Sequence, residues 1–457
     1  MSGRPLLLSP WRVIIAVLVV MAFVGAFLLS IPAAQKVPHA FIDLFFTSAS
    51  AVSVTGILTV SLDSFTLFGK AIILFLIQIG GIGFLTLAIP LISVFFDVGM
   101  QTHLITGHQF ELENWSNSWT NTRRVIGFIL ILTLIIEAIG ALGFYWMLNP
   151  SPSGDPRWFT ALFFGISSFC NSGVAPFPDG DMSTVAGNMP LIGLSTVLMV
   201  IGSFGFIPLY EIARRIKWWW LGESRPSLHF TLHSKIIICF APLMTLIFVP
   251  LLWYFERVQF WGHSFFETIN LVLFNTVSLR SCGFTTLDPM LFMPVTIMLI
   301  IVFAFIGSSP GSVGGGTGIR ITAFVLTLAS IRAAIRGRED VELFGRRIPY
   351  KQIIRTFAVV AASIMWCILS TILLLVVSTP DVYAEFPIHI YLFEAVSAFA
   401  NHGVSLGLAA KLSVTGKFIM AASMIIGRIS ALTIILAICK YKEKNDFQYP
   451  EENVLLV

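Results

Sequence analysis

The sequence predicts an all-α membrane protein in which four helix–pore-loop–helix units surround one central pore with pseudo-fourfold symmetry and eight spanning helices. Three observations carry that expectation. The 457-residue chain is 56% hydrophobic and only 11% charged, with a mean hydropathy of +0.88, whereas a soluble domain carries roughly 25% charged residues. Long apolar runs alternate with short ones. Each short run leads into a polar stretch closed by a glycine, and these glycines recur at near-equal spacing.

A spanning helix needs about 20 apolar residues. Eight such runs occur, at 11–31, 67–95, 124–148, 189–213, 234–255, 292–332, 353–378 and 415–439. The apolar stretch of the first, Val13 to Ile31, exceeds the roughly 7–15 residues of a signal h-region, so a retained helix is expected. Lys and Arg then set orientation. They gather before the first run (Arg4, Arg12) and in alternate loops (Arg123 and Arg124; Arg214, Arg215 and Lys217; Arg332 to Arg355). The tail adds Lys440, Lys442 and Lys444. The other loops carry few, so both termini are expected in the cytoplasm. The five cysteines form no CxxC pair, which indicates neither a disulfide framework nor a zinc site. A net charge of +4 reflects loop bias and no nucleic-acid surface.

Four apolar stretches are too short to span: Phe41–Ser50, Trp158–Ser168, Phe265–Ser278 and Ile390–Phe399. Runs of about 10–14 residues read as re-entrant segments. They lead into Val52-Ser-Val-Thr-Gly56, Phe169-Cys-Asn-Ser-Gly173, Leu279-Arg-Ser-Cys-Gly283 and Phe399-Ala-Asn-His-Gly403. The glycines are 117, 110 and 120 residues apart. A second glycine follows each inside a long run, Gly80, Gly202, Gly307 and Gly427, at offsets of 24, 29, 24 and 24. A lone glycine in an apolar helix is ordinarily a packing residue; a shared register across four copies marks an internal repeat. The units are placed at 11–95, 123–213, 234–332 and 353–440, with a cytoplasmic tail at 441–457.

A non-helical loop at membrane depth persists only inside protein or beside water, because lipid cannot satisfy its backbone groups. Four such loops around one axis aim their carbonyls at the centre, and rings of carbonyl oxygens replace the hydration shell of a K⁺-sized ion. The expected filter is Val54, Thr55 and Gly56; Asn171, Ser172 and Gly173; Ser281, Cys282 and Gly283; and Asn401, His402 and Gly403. K⁺ would be held by their backbone carbonyls, with no covalent cofactor.

The stretches Thr47-Ser-Ala-Ser-Ala-Val-Ser-Val-Thr-Gly56, Gln78-Ile-Gly-Gly-Ile-Gly-Phe84, Arg280-Ser-Cys-Gly-Phe284 and Ile425-Ile-Gly-Arg-Ile429 resemble the Trk/Ktr/HKT superfamily of K⁺ transporters, and within it the membrane subunit of bacterial Ktr systems. The resemblance covers almost the whole chain. It implies K⁺ uptake across the plasma (inner) membrane stimulated by Na⁺, a homodimer with one pore per subunit, and a cytosolic RCK-type nucleotide-binding ring as regulatory partner. Glycine in all four filters goes, in that family, with K⁺ preference. Asn171, Asn401 and His402 depart from the nearest relatives' pattern; coordination by backbone carbonyls tolerates such changes.

Gly307 to Gly318 interrupt a 41-residue run (292–332) that would be about 60 Å long as continuous helix, so Pro310 and the glycines must break it. A phosphate-binding loop would need a Lys and a preceding strand, both missing here. The resemblance implies an intramembrane gate: Gly311, Ser312, Gly314, Gly315, Gly316, Thr317 and Gly318. It also places Arg428 beside that gate, facing the pore. An ion pair is the competing role for Arg428. Arg280, three residues before Gly283, should point behind the filter toward a buried carboxylate, Glu267 or Glu394. Asp63, Asp179, Asp181 and Asp288 follow their glycines closely and should ring the outer mouth, concentrating cations. His402 is a candidate pH sensor or a packed flanking residue. A solute carrier with inverted or paired repeats would not show four short pore helices. A membrane enzyme is disfavoured by the lack of HExxH, GxSxG or paired carboxylates.

Overall fold

The computed structural model describes residues 10–81, 119–148, 154–180, 182–221, 230–338 and 340–430. The first helix, α1 (Pro10–Leu29), is followed by α2 (Phe41–Ser53) and α3 (Leu67–Gly81). Next come α4 (Trp119–Met147), α5 (Arg157–Phe169), α6 (Met189–Phe204) and α7 (Phe206–Leu221). The third group is α8 (Leu232–Glu256), α9 (Phe265–Ser281), α10 (Pro294–Ile306) and α11 (Ile321–Ile335). A two-residue hairpin pairs Glu342–Leu343 with Arg346–Arg347. The last group is α12 (Tyr350–Val377), the short α13 (Pro380–Glu385), α14 (Ile388–Ala400), the short α15 (Leu408–Lys411) and α16 (Val414–Ile429).

Among the described residues, α4 from Gly127, α8 and α12 are long and apolar enough to cross a bilayer as single helices. Their outward faces are apolar: Ile131, Leu134, Ile135, Ile139 and Leu142 of α4 are all exposed, at helical spacing. Such a stripe has no place against water and fits a lipid contact. The runs 67–95 and 415–439 continue beyond the described residues. The run 189–213 is not one straight span: α6 and α7 meet at 104°. The break falls at Gly205, whose φ of +87 suits a residue without Cβ. The run 292–332 is broken as expected, into α10 and α11 with a loop between them.

The four short apolar stretches form α2, α5, α9 and α14. Each is nearly wholly buried over its last two turns, although each is too short to span. Start signals are local. Ser264 and Glu267 make a capping box at the head of α9, satisfying backbone donors that the first turn leaves free. Asn188 caps α6 through the Leu191 amide, and Ser413 caps α16 through that of Gly416.

Packing follows a cycle. α3 lies against α5, α6 against α9, α10 against α14, and α16 against α2. Each inner helix thus covers the short apolar helix of the next group, and the last covers the first. Two ion pairs fasten the same joints. Lys70 of α3, with 1% of its side chain exposed, meets Asp155 ahead of α5 at 2.6 Å. Lys417 of α16 meets Asp43 of α2 at 2.6 Å.

Candidate ion-conduction pathway

The polar stretches after α2, α5, α9 and α14 bring the predicted filter residues together. Gly56, Gly173, Gly283 and Gly403 have φ of +98, +71, +97 and +98, a region that side chains other than glycine reach with strain. Their contacts run from segment to segment. A Cβ on Gly56 would strike the Ser172 carbonyl oxygen, and one on Gly173 that of Cys282. One on Gly283 would lie 2.5 Å from the His402 carbonyl oxygen, and one on Gly403 would strike that of Thr55. The chain of contacts closes on itself. Each glycine therefore backs onto the carbonyl just before the glycine of the following segment.

Two positions earlier stand Val54, Asn171 and Asn401, all left-handed, with φ of 57, 50 and 51. Asparagine tolerates this conformation; the β-branched Val54 does not do so readily. The turn lets the chain leave each helix and run extended. It is held by a serine six residues before the glycine. The Ser50 carbonyl accepts from the Thr55 amide, that of Ser167 from Ser172, and that of Ser397 from His402. The Ser167 and Ser397 hydroxyls also donate to the Val174 and Val404 carbonyls, each at 2.6 Å. These serines were not singled out from the sequence, although their common offset was available there as a signal. The third segment differs: α9 runs 17 residues against 13 for the others, and no left-handed residue precedes Cys282.

The second glycines explain their shared register. A Cβ on Gly80, Gly202 or Gly427 would overlap the carbonyl oxygen of Val52, Phe169 or Phe399. Each of those residues lies four before the positive-φ glycine of its segment. The inner helix can therefore close on the end of its own short helix only through a residue without a side chain. Gly307 departs from this pattern and packs on the carbonyl oxygens of Gly316 and Thr317, 2.5 and 2.9 Å from its would-be Cβ.

The reason is the loop between α10 and α11, which turns inward beneath the four glycine segments. A Cβ on Gly315 would lie 2.5 Å from the Asn401 carbonyl oxygen, 2.7 Å from that of Asn171 and 2.8 Å from that of Val54. The Gly315 amide donates to the Cys170 carbonyl at 3.3 Å, Gly316 to Asn401 at 2.8 Å and Thr317 to Ala400 at 2.6 Å. The loop thus takes up carbonyls at the centre of the ring. It is anchored laterally as well: the Val313 amide reaches the Gly202 carbonyl at 3.2 Å, and the Phe206 amide at the start of α7 donates to Gly311 at 3.0 Å.

Arg428 holds the same loop. Its Nη1 donates to the Gly314 carbonyl at 2.6 Å and its Nη2 to that of Val313 at 3.1 Å, with a further bond to the Gly80 carbonyl. No carboxylate pairs with it among the described residues. The competing ion-pair role is thus replaced by backbone carbonyls. Arg320 sits at the loop's other end, its Nη1 3.4 Å from Ser312 Oγ and 3.5 Å from the Ser309 carbonyl.

Asn401 links three parts. Its Nδ2 donates to the Ser53 carbonyl (2.9 Å), Thr55 Oγ1 (2.9 Å) and the Met424 carbonyl (3.1 Å), while its Oδ1 accepts from Thr317 Oγ1 at 2.9 Å. Arg280 does point behind the segments, but its expected carboxylate partner is not found. Its Nη1 donates to the Ala241 carbonyl at 3.1 Å and to Thr245 Oγ1 at 3.3 Å. Glu267 is occupied at the far end of α9 in its capping box, more than three turns away. Glu394 instead accepts from Ser405 Oγ (2.6 Å) and the Leu406 amide (2.8 Å), bracing the chain that leaves the fourth segment.

On the side of the glycines away from the loop lies an open cavity of about 780 Å³, lined by Gly56, Gly173, Gly283 and Gly403 and by Asp288. Asp63 is not on its wall: it pairs with Lys70 at 3.1 Å. The Asp179 side chain and Asp181 lie outside the described residues.

Buried short helices, outward apolar faces and a ring built of backbone define an integral membrane protein whose candidate site has no reacting side chains. The profile of the TrkH family, described as cation transport protein, matches residues 12–449. The chain belongs to that family, and it is a transporter, not an enzyme. It is 32% identical to the Ktr system potassium uptake protein B of Vibrio alginolyticus, over 96% of this chain and 94% of that one. It is 30% identical to the protein of the same name in Bacillus subtilis, over 94% and 93%. The potassium/sodium uptake protein NtpJ of Enterococcus hirae is 26% identical over 98% and 97%. In fold it is similar to the crystal structure of the potassium transporter TrkH from Vibrio parahaemolyticus, with a TM-score of 0.71 and 17% identity over 96% of this chain and 87% of that one.

Proposed function

We propose that the chain takes up K⁺ through one pore lined by the four glycine segments, with the loop 307–318 and Arg428 as its gate. The observation that carries this reading is the closed cycle of glycine-to-carbonyl contacts from Gly56 through Gly403, with Gly315 seated against three carbonyls at its centre. Such a ring offers oxygens in place of ion hydration, and a backbone lodged beneath it blocks passage. Potassium uptake in the names of two relatives about 30% identical points to the cargo. The four groups are read as pseudo-fourfold repeats with eight spans, at 11–95, 123–213, 234–332 and 353–440. Na⁺ stimulation, a homodimer, an RCK-type cytosolic partner and an inner-membrane location with both termini cytoplasmic complete the proposal.

The test is Rb⁺ uptake into proteoliposomes. Uptake that K⁺ competes for and that rises on deletion of 310–316 supports both pore and gate. Absence of flux with and without a cytosolic partner overturns the pore, and equal flux in the deletion overturns the gate.

A further inference from the structure

In three of the four segments, the carbonyl four residues before the filter glycine is covered by the inner-helix glycine: Val52 by Gly80, Phe169 by Gly202, Phe399 by Gly427. The third counterpart is Leu279. Its cover should be Gly307, but Gly307 has followed the loop and packs on Gly316 and Thr317. The Leu279 carbonyl is taken up by the His402 ring, whose Nε2–H donates to it. The ring is fully buried. Its Nδ1 lies 3.4 Å from Ser397 Oγ, and the edge of Phe393 packs on it with centroids 6.3 Å apart. At the equivalent position Thr55 bonds Ser53 Oγ at 2.7 Å and accepts from Asn401 Nδ2 at 2.9 Å, and Ser172 bonds Ser167 Oγ at 2.5 Å within its own segment. Among the described residues at these positions, His402 alone reaches the short helix of a neighbouring segment.

We propose that His402 is a strut that fixes the third filter segment against the fourth, and so is a specificity-determining residue of the filter. The broken inner helix leaves one carbonyl at the end of α9 without its usual cover, and a buried acceptor must find a donor. The fourth segment supplies it: the His402 ring ties the end of α9 to the chain that leaves α14. His402 thus acts through the position of the Ser281 and Cys282 carbonyls, with no contact of its ring to the ion.

This inference rests on the filter reading, and the experiment separates the two. Full-length protein in liposomes is assayed for Rb⁺ and Na⁺ uptake as wild type, His402→Ala, His402→Asn, His402→Gln and Gly173→Ser. In His402→Ala the preference for Rb⁺ over Na⁺ is expected to fall about fivefold, the size of one lost buried hydrogen bond. A Gln amide reaches the place of Nε2 and is expected to restore the preference; an Asn amide reaches only that of Nδ1 and is not. If His402→Ala does not fold, the Gln and Asn variants decide alone. Equal behaviour of those two overturns the strut. So does unchanged preference in His402→Ala alongside a loss in Gly173→Ser, with the filter left standing. Unchanged preference in Gly173→Ser as well overturns the filter reading and the strut together.

Discussion

Replacing Gly315 by alanine is expected to open the pathway. The added methyl would sit 2.5, 2.7 and 2.8 Å from the carbonyl oxygens of Asn401, Asn171 and Val54, all nearer than a carbon and an oxygen approach without repulsion. Those oxygens belong to backbone held by the Ser50, Ser167 and Ser397 turns, so they cannot swing aside as a side-chain end would. Overpacking of this kind costs typically about 1–3 kcal/mol. Set against docking of the loop, that cost shifts the ratio of docked to withdrawn loop by about 5- to 150-fold. Rb⁺ flux into liposomes, measured without any cytosolic partner, should rise within that range, and its preference over Na⁺ should stay the same. Flux at or below wild type in a folded, reconstituted variant would refute the reasoning. A lost preference would show that the filter had yielded in place of the loop.

Three further outcomes follow from the same geometry. Arg428→Gln removes donors to the Gly314, Val313 and Gly80 carbonyls; bonds from a charged donor contribute about 1.5–3 kcal/mol each, so losing one releases the loop and raises Rb⁺ flux about tenfold or more. Gly202→Ala drives a methyl into the Phe169 carbonyl and should lower thermal stability in detergent by about 1–3 kcal/mol; an unchanged melting temperature would mean that α6 does not close on α5 as described. Lys70→Met removes the cation that meets Asp155 at 2.6 Å and Asp63 at 3.1 Å. Because Asp63 is 37% exposed, the loss should stay below the ~3–5 kcal/mol of a fully buried pair, and is read by denaturation of the purified protein.

Much of the architecture was legible along the chain because it is written in local chemistry. Low charge and long apolar runs require lipid contact. Runs of about 13 residues cannot span, and the glycine register marked the four polar segments that follow them. The short helices therefore fall where expected, within a few residues. Resemblance to the Trk/Ktr/HKT superfamily supplied the proposed gate residues, whose backbone placement composition does not disclose. The partner of Arg280 was misread. A sequence shows which carboxylates exist but not that α8 would offer the Ala241 carbonyl. The 104° turn at Gly205 was likewise hidden, since a glycine in an apolar run reads equally well as helix.

The sequence by itself determined the four short apolar helices, the positions of the glycines that close the polar segments after them and the break in the run 292–332, because hydropathy period, chain length and glycine's lack of Cβ act within a few residues. Only the tertiary structure decided the order in which the segments close into a ring, the seating of Gly315 beneath them, and the exchange by which His402 covers Leu279 in place of Gly307. Those are contacts between residues far apart along the chain, Leu279 and His402 by 123 positions and Thr55 and Gly403 by 348. They depend on which carbonyls remain unpaired once the helices have packed, a condition that no local stretch of the chain contains.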